Sequence, residues 1–594
     1  MRGTTAEMVT DERPSHELRG AGIAFGVDSF GRNLDGVYTD YQGTYGAESE
    51  EYLELMEAAG FSEQFEGPFS PPDKFGCSYA SDSAFAINWH RISLNELVKL
   101  GDLPATTVQN YQRCVNSGDY KKFYLQTLKK GYLTEAYTSF EDSGNYVRVK
   151  DFKAWCDKQS YWLDRYAAYK VLKRLPENEG RPWQEWSKGS VYSYGIVSEV
   201  AKQYPDVFGT IKYIQWNAAK QALAYKEMAA KHGIKIRGDV PFGVRLESAD
   251  VWGNRELFDL DEKGYARHVS GAKPDHLAPN GQIWGHPAYV TENPDLIDWW
   301  IKRLKHVHEL TGGDTRLDYF VGFAHPWLIP AGTRMATEGS RGKGFGNKLL
   351  KRLKLDNEFG EAQRLPLYAE AVGDVTYVVR ALLKRYDLSH MLVYTFVPWG
   401  TDKETIQDLP RNFRKNGTAF SSTHDSETLM GMVARLYESA ETGDPAYDTT
   451  QTGRKALRNK PQKERSVSTE PWTHFIRELA DYCKEEELVH DRNLTDAMRE
   501  VMLRKVARYA IKSILDSEAE TVVTPIWDVL YSRTRFNTPG TYNGQPGFTG
   551  QNWTHRYDAA ELQKHVAEMR SDIEASDRLK RQLAHLALAK QEVA

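Results

Sequence analysis

A chain of 594 residues has ample material for a large apolar core, and an α/β barrel that carries insertions can occupy about 400 residues or more as one unit. Its formal charge of −5, with no basic block along the chain, argues against a nucleic-acid partner. The four cysteines, Cys77, Cys114, Cys156 and Cys483, show no CxxC or Cys/His ligand spacing, which argues against a disulfide framework and a metal site and fits reduced thiols.

Met1 to Arg19 is polar and lacks an apolar core, and no later stretch approaches the length a bilayer crossing needs, so a cytoplasmic protein with no membrane partner is expected. Residues 1–20 read as a disordered tail. Ser49 to Gly60 carries Tyr52, Leu53, Leu55, Met56 and Ala59 at helical spacing, closed by Gly60. A loop, Gly67 to Gly76, leads into the hydroxyl-rich run Cys77 to Asn88; taken alone it is a surface connection, and the other reading is a polar-substrate pocket. About 104–190 reads as a helical insertion, with Trp162, Leu163, Tyr166, Ala167, Tyr169, Leu172 and Leu175 on repeating faces.

A helix from Tyr213 to His232, ended by Gly233, feeds a strand whose tip carries Asp239, with glycines on both sides allowing close backbone approach. Asp250 to Tyr289 has almost no apolar periodicity and reads as a long irregular wall. Asn293-Pro294 opens a helix as N-cap and first residue, and Gly312-Gly313 stops it. Thr315 to Phe320 then reads as a strand delivering Asp318 beside Arg316. Two more segments end in an acid, Leu367 to Glu370 and Ala419 to Asp425, separated by a helix at Val375 to Tyr386 and a buried strand at Met391 to Val397. Ser439 to Thr469 reads as an exposed excursion, Glu470 to Ser517 as helical, and 559–594 as a closing helical tail. There is no short repeat of the solenoid kind.

Strands that each place a carboxylate at their C-terminal end, spaced by helices, are how a (β/α) barrel assembles one site from distant residues. Asp318, Glu370 and Asp425 are therefore the candidate catalytic residues. Taken alone, each such Asp is more often a helix N-cap or a turn residue. The 15 Trp and 33 Tyr supply aromatic faces of the kind sugar rings stack on, though large cores also consume aromatics.

A set of motifs in fixed order carries a resemblance. They are Cys77-Ser78-Tyr79 through Ser83-Ala84-Phe85-Ala86, Gly238-Asp239-Val240-Pro241 with Ser248-Ala249-Asp250-Val251-Trp252, and Pro274-Asp275 with Gly281-Gln282-Ile283-Trp284-Gly285. Arg316-Leu317-Asp318, Ala369-Glu370, Thr423-His424-Asp425, and Arg535 to Thr541 followed by Asn552-Trp553 complete it. The chain resembles the bacterial 4-alpha-glucanotransferases, also called amylomaltases or disproportionating enzymes. The resemblance implies a (β/α)8 TIM barrel with large, mainly helical insertions, here residues 21–558. It implies a retaining transfer of an α-1,4-glucan segment from a donor maltooligosaccharide to the 4-hydroxyl of an acceptor glucose or glucan, with no metal or other cofactor.

By motif position Asp318 is the nucleophile and Glu370 the acid and base, while Asp425 and His424 bind donor hydroxyls. Asp239 contacts the donor sugar, Tyr79 stacks on it, and Gln282, Trp284 and Asn537 line sugar subsites. Arg316 is expected to hold Asp318 ionised. Taken alone, Tyr79 and Trp284 read as packing residues, His424 as a structural hydrogen-bond partner and Asn537 as a turn residue.

The chain departs from the family pattern in three places. Tyr319-Phe320-Val321-Gly322 stands where His-Phe-Arg-Gly is usual, and Ala371-Val372-Gly373 where Asp-Leu-Gly is usual. Gly22 to Phe75 lacks the usual opening. These departures leave two alternatives open: a maltooligosaccharide hydrolase, in which water reaches the glycosyl-enzyme, and a catalytically weakened glucan-binding protein on the same fold.

Overall fold

In the segment Gly312–Leu317, charged Asp314 and Arg316 alternate with Thr315 and Leu317, so a strand there turns its charges to one face and Leu317 to the other. In the computed structural model this strand, β6, is one of eight parallel strands closed into a barrel. The others are β1 (Gly20–Ala24), β2 (Glu63–Phe65), β3 (Lys235–Val240), β9 (Leu367–Ala369), β10 (Ser389–Val393), β11 (Gly417–Phe420) and β12 (Thr521–Pro525), in the cyclic order β1-β2-β3-β6-β9-β10-β11-β12. The structure describes residues 20–24, 31–274, 280–360, 364–397, 409–442, 470–479, 494–537 and 556–593. The expected tail over 1–19, most of the expected excursion (443–469), Asp275, Thr538 to Thr541 and Asn552-Trp553 lie outside them.

The barrel interior is layered. At one end the Arg237 guanidinium donates to Asp314 at 2.9 Å, to Glu63 at 2.7 Å and to the Thr521 hydroxyl at 3.1 Å. Phe65, Tyr368, Met391, Phe420 and Val523 form the apolar middle, with Phe65 edge-on to Tyr368 and Phe420. Asp239 and Arg316, two positions beyond Arg237 and Asp314 on their own strands, form the next layer toward the C-terminal end, as the two-residue period of a strand requires.

The expected helical insertion is present as Ala105–Ser117, Lys122–Asp142 and Tyr146–Leu172. The helix expected from Tyr213 runs Pro205–Lys231, one proline-initiated unit that starts earlier because Pro205 sits in its first turn. Asn293 caps the helix Asp295–Thr311 through its side chain, which accepts from the Asp295 N–H at 3.0 Å, and Gly312 ends it at φ 75°. The end of the expected Met391 to Val397 strand is instead a short 3-10 turn, Tyr394–Phe396. The closing helix runs Ala559–Val593, and among the described residues no helix is long and apolar enough to cross a membrane.

The segment read as an irregular wall is the largest difference. It contains β4 (His268–Ala272) and β5 (Gln282–Pro287), which join β7 (Trp327–Pro330) and β8 (Ser340–Arg341) in an antiparallel sheet ordered β5-β4-β7-β8. In β5 the more sheltered face carries Gln282, Trp284 and His286 while Ile283 is exposed. This inverts the apolar-in pattern by which strands are recognised.

The glycines flanking Asp239 do allow close approach. A Cβ on Gly238 would lie 2.6 Å from Val307 Cγ1 on the helix Asp295–Thr311, and one on Gly243 would lie 1.9 Å from His286 Nδ1. Gly238→Ala is expected to cost about 1–3 kcal/mol by overpacking, lowering the melting temperature and, by shifting Asp239, activity. Calorimetry showing an unchanged melting temperature would contradict this packing.

Candidate active site

β3, β6 and β9 are neighbours in the barrel, so Asp239, Arg316, Asp318 and Glu370 converge at their C-terminal ends although the sequence separates them widely. Arg316 is the hub. Its Nη1 donates to both Asp239 oxygens, at 2.9 and 2.8 Å. Its Nη2 reaches Asp318 Oδ1 at 3.1 Å and Glu370 Oε2 at 2.8 Å. Sharing one nitrogen keeps those two carboxylate oxygens within about 6 Å of each other, on the retaining side of the glycoside-hydrolysis geometries. Arg316 and Asp239 are sealed, at 6% exposure each, whereas Asp318 and Glu370, at 22% and 17%, open to the mouth.

Backbone amides complete the grip. The Phe242 N–H donates to Asp318 Oδ2 at 3.1 Å, and the Tyr319 N–H donates to Glu370 Oε2 at 2.8 Å. Tyr319 holds a left-handed conformation, φ 46° and ψ 53°, that costs a non-glycine residue on the order of 1–2 kcal/mol. That conformation aims its amide at Glu370, while the Phe320 N–H bonds the Glu370 carbonyl at 3.0 Å.

Electrostatics follow from one cation among three carboxylates. Burial raises Asp318, Arg316 lowers it, and Glu370 and Asp239 raise it further, leaving it at about 7. Arg316 thus does pull Asp318 toward the ionised form, as read from the sequence, but burial and the two neighbouring acids outweigh it. Burial disfavours the Arg316 charge, yet Asp239, Glu370, Tyr79 and Asp318 more than restore it. Burial and Asp239 hold Tyr79 neutral well above the ordinary phenol range. Tyr79 therefore serves as a donor: its hydroxyl bonds Asp239 Oδ2 and accepts from Arg316 Nη1 at 3.2 Å.

The Tyr79 ring stacks on His424, with centroids 5.3 Å apart and planes at 20°. His424 Nε2 pairs with Asp425 Oδ2 at 3.2 Å, and Asn537 Nδ2 donates to Asp425 Oδ1 at 2.7 Å. Burial opposes ionisation of both His424 and Asp425, but their mutual attraction wins, raising His424 and holding Asp425 well below the usual carboxylate range. Asp425 is 37% exposed and faces the mouth as a fixed anion. Gln282 and Trp284 share β5, where Trp284 Nε1 donates to Gln282 Oε1 at 3.1 Å. The Trp284 ring meets the Tyr319 ring edge-on, with centroids 4.6 Å apart.

All ten residues singled out from the sequence therefore join one contact network around the barrel mouth, with Tyr319 linking the β5 pair to the rest. Sequence reasoning marked Tyr319 only as a departure from the family pattern, and missed Phe242 and Arg535, whose Nη2 donates to the Asp425 carbonyl at 3.0 Å. Tyr319 and Phe242 act through their amides, which residue type does not reveal. Arg535 stood beside Asn537 in a quoted motif and was legible there. Among the described residues no group of three His, Cys, Asp or Glu side chains is placed to hold a metal ion.

The family model for 4-alpha-glucanotransferases, glycoside hydrolase family 77, matches residues 42–562. A 4-alpha-glucanotransferase of Thermus thermophilus is 30% identical over 574 residues, covering 94% of this chain and 99% of that protein. One from Streptococcus pneumoniae serotype 4 is 31% identical over 384 residues, covering 62% of this chain and 73% of its own length. Among solved structures, the amylomaltase from Streptococcus agalactiae in complex with acarbose superposes with a TM-score of 0.74 at 21% identity, covering 94% of this chain and 99% of that one.

Asp318 also affects stability in a definite direction. Its folded value of about 7 lies above the ordinary 3.8, so the unfolded chain ionises first, and the wild-type fold weakens as pH rises through that interval and levels off above it. Asp318→Asn removes that penalty. The variant is expected to gain roughly 1–3 kcal/mol over wild type at pH 7.5 and nothing near pH 3.5, allowing for partial solvent screening. Denaturant titrations at the two pH values check it; a gain independent of pH would contradict the assigned shift.

Proposed function

The chain belongs to the 4-alpha-glucanotransferases of glycoside hydrolase family 77, and from that premise we propose how its site transfers an α-1,4-glucan segment from a maltooligosaccharide donor to the 4-hydroxyl of an acceptor glucose or glucan. The observation that carries the mechanism is the Arg316 bridge between Asp318 and Glu370. Asp318 attacks the anomeric carbon as a carboxylate. Arg316 and the Phe242 amide hold its two oxygens, so its approach is fixed before the donor arrives. Glu370 passes its proton to the departing glycosidic oxygen. Both of its fixed donors fall on Oε2, which leaves Oε1 to face the leaving group.

The result is a glycosyl ester on Asp318 and a shortened donor. The acceptor 4-hydroxyl then attacks the same carbon, gives its proton to Glu370 and releases Asp318 as carboxylate; two inversions retain the configuration. Asp425, fixed by His424 and Asn537, accepts hydrogen bonds from donor-ring hydroxyls, contacts that tighten as the ring flattens. Asp239 and Tyr79 complete the donor site, and Gln282 and Trp284 on β5 form the platform that seats an acceptor in place of water. Residues 21–558 act as the catalytic unit, and a cytoplasmic setting fits the unpaired Cys77, Cys114 and Cys156.

Incubation with maltotriose tests the assignment: glucose should accumulate with a ladder of longer maltooligosaccharides, absent in Asp318→Asn. Glucose and maltose without lengthening would instead support hydrolysis. The raised Asp318 value means that the free pair keeps one proton across the neutral range, so kcat/KM is expected to fall as pH rises past about 7 and that proton is lost. In Glu370→Gln, assayed with a glycosyl fluoride whose leaving group needs no proton, the alkaline fall should disappear, because cleavage no longer draws on the proton of the pair. An alkaline limb that persists in that variant would contradict the shared proton.

A further inference from the structure

Besides the Trp284–Tyr319 ring contact and the packing of His286 on Gly243, the antiparallel sheet that carries Gln282 and Trp284 is tied to the barrel mouth by polar contacts. Four residues past Glu370, after Gly373 at φ 76°, stands Asp374. Its Oδ1 takes Lys273 Nζ at 2.9 Å, and its Oδ2 takes Arg341 Nη2 at 2.6 Å. Lys273 directly follows β4, and Arg341 lies in β8, so one carboxylate grips the sheet through two of its four strands. β4 pairs directly with β5, with Ala272 opposite Gln282.

A second tether lies beside it, where His325 Nε2 meets the Thr376 hydroxyl at 2.5 Å just before β7. A third is the weak bond from the Trp327 N–H to the Tyr319 hydroxyl, at 3.4 Å. All three link the sheet to the turns that follow Glu370 and Asp318. The carboxylate stays ionised because Lys273 and Arg341 outweigh its burial. Its partners are the two cations of the sheet, not Asp318 or Glu370.

We propose that Asp374 is a positioning residue, an ionic clamp that holds the β5 acceptor platform over the acid/base turn and so sets how the glycosyl-enzyme divides between acceptor sugar and water. This rests on the transferase reading above. In either branch the ester on Asp318 is attacked at the anomeric carbon, the proton of the attacking hydroxyl or water passes to Glu370, and Asp318 leaves as carboxylate. The clamp changes only which oxygen is present when the ester breaks. Its cations are partly exposed, Lys273 at 38% and Arg341 at 50%, so the clamp is sensitive to salt, unlike the sealed Arg316–Asp239 pair.

The test is product analysis of the full-length protein with maltotriose, scoring lengthened products against hydrolysis. Asp374→Asn is expected to raise the hydrolysed share about five-fold and the acceptor KM by a similar factor, with donor cleavage within about two-fold of wild type. Asp374→Glu should recover most of the wild-type division. Raising salt to about 1 M should shift the wild-type division in the same direction and leave Asp374→Asn unmoved. An Asp374→Asn protein with the wild-type division, or one whose transfer and hydrolysis fall in parallel with its melting temperature, overturns the clamp while the transferase reading stands. A wild-type protein that only shortens maltotriose overturns both.

Discussion

One guanidinium holds the mouth of this barrel together. Asp239, Asp318 and Glu370 come from three adjacent strands, and three carboxylates that close, sheltered from water, would repel one another and draw protons. Arg316 meets all three with its two terminal nitrogens. The order of strands β3, β6 and β9 is what makes this possible, because only neighbouring strands bring their tips within reach of a single side chain. Burial first, and then the residual imbalance of one cation to three acids, leave Asp318 raised. A proton retained on a carboxyl pair near neutral pH is what double displacement requires of its acid and base.

The remainder of the structure serves to hold that cluster still. A second ionic layer, built on Arg237, closes the opposite end of the barrel, with aromatic packing between the two. Tyr319 accepts backbone strain so that its amide can fix Glu370, and its ring then meets Trp284. At two of the departures, Val321 and Ala371, the side chain is buried in one apolar cluster, a setting that suits groups needing no polar partner.

The parts of this architecture legible in the sequence were those in which residue type and period coincide. β6 was legible as the β-compatible run from Thr315 beside Arg316, though it begins at Gly312 and ends at Leu317 rather than Phe320 because Tyr319 turns left-handed, and the helix before it by its asparagine, proline and glycine boundaries. Glu370 was found because it follows a short apolar run and Asp425 because it ends the segment Ala419 to Asp425, although that strand stops at Phe420; the family motifs then supplied His424, Gln282, Trp284 and Asn537. The strands β1, β2 and β12 were not found. β2 is three residues long and turns Glu63 into the barrel, where Arg237 meets it, and Gln64 to the opposite face, where Tyr225 of the helix Pro205–Lys231 meets it, so its polarity disguised its burial. The antiparallel sheet was hidden for the complementary reason, an exposed Ile283 and sheltered polar residues. Tertiary partners reversed the local signal in both cases.

The central claim, that Asp318 carries the glycosyl group while Arg316 and Glu370 attend it, is tested most directly by trapping the intermediate. A fluorinated maltosyl donor that forms the ester quickly and loses it slowly would be reacted with the enzyme, followed by proteolysis and peptide mass spectrometry. The account predicts one glycosylated peptide, the label on Asp318, and no label in Asp318→Asn. A label on Glu370 or Asp425, or turnover of the donor with no labelled peptide, would contradict it.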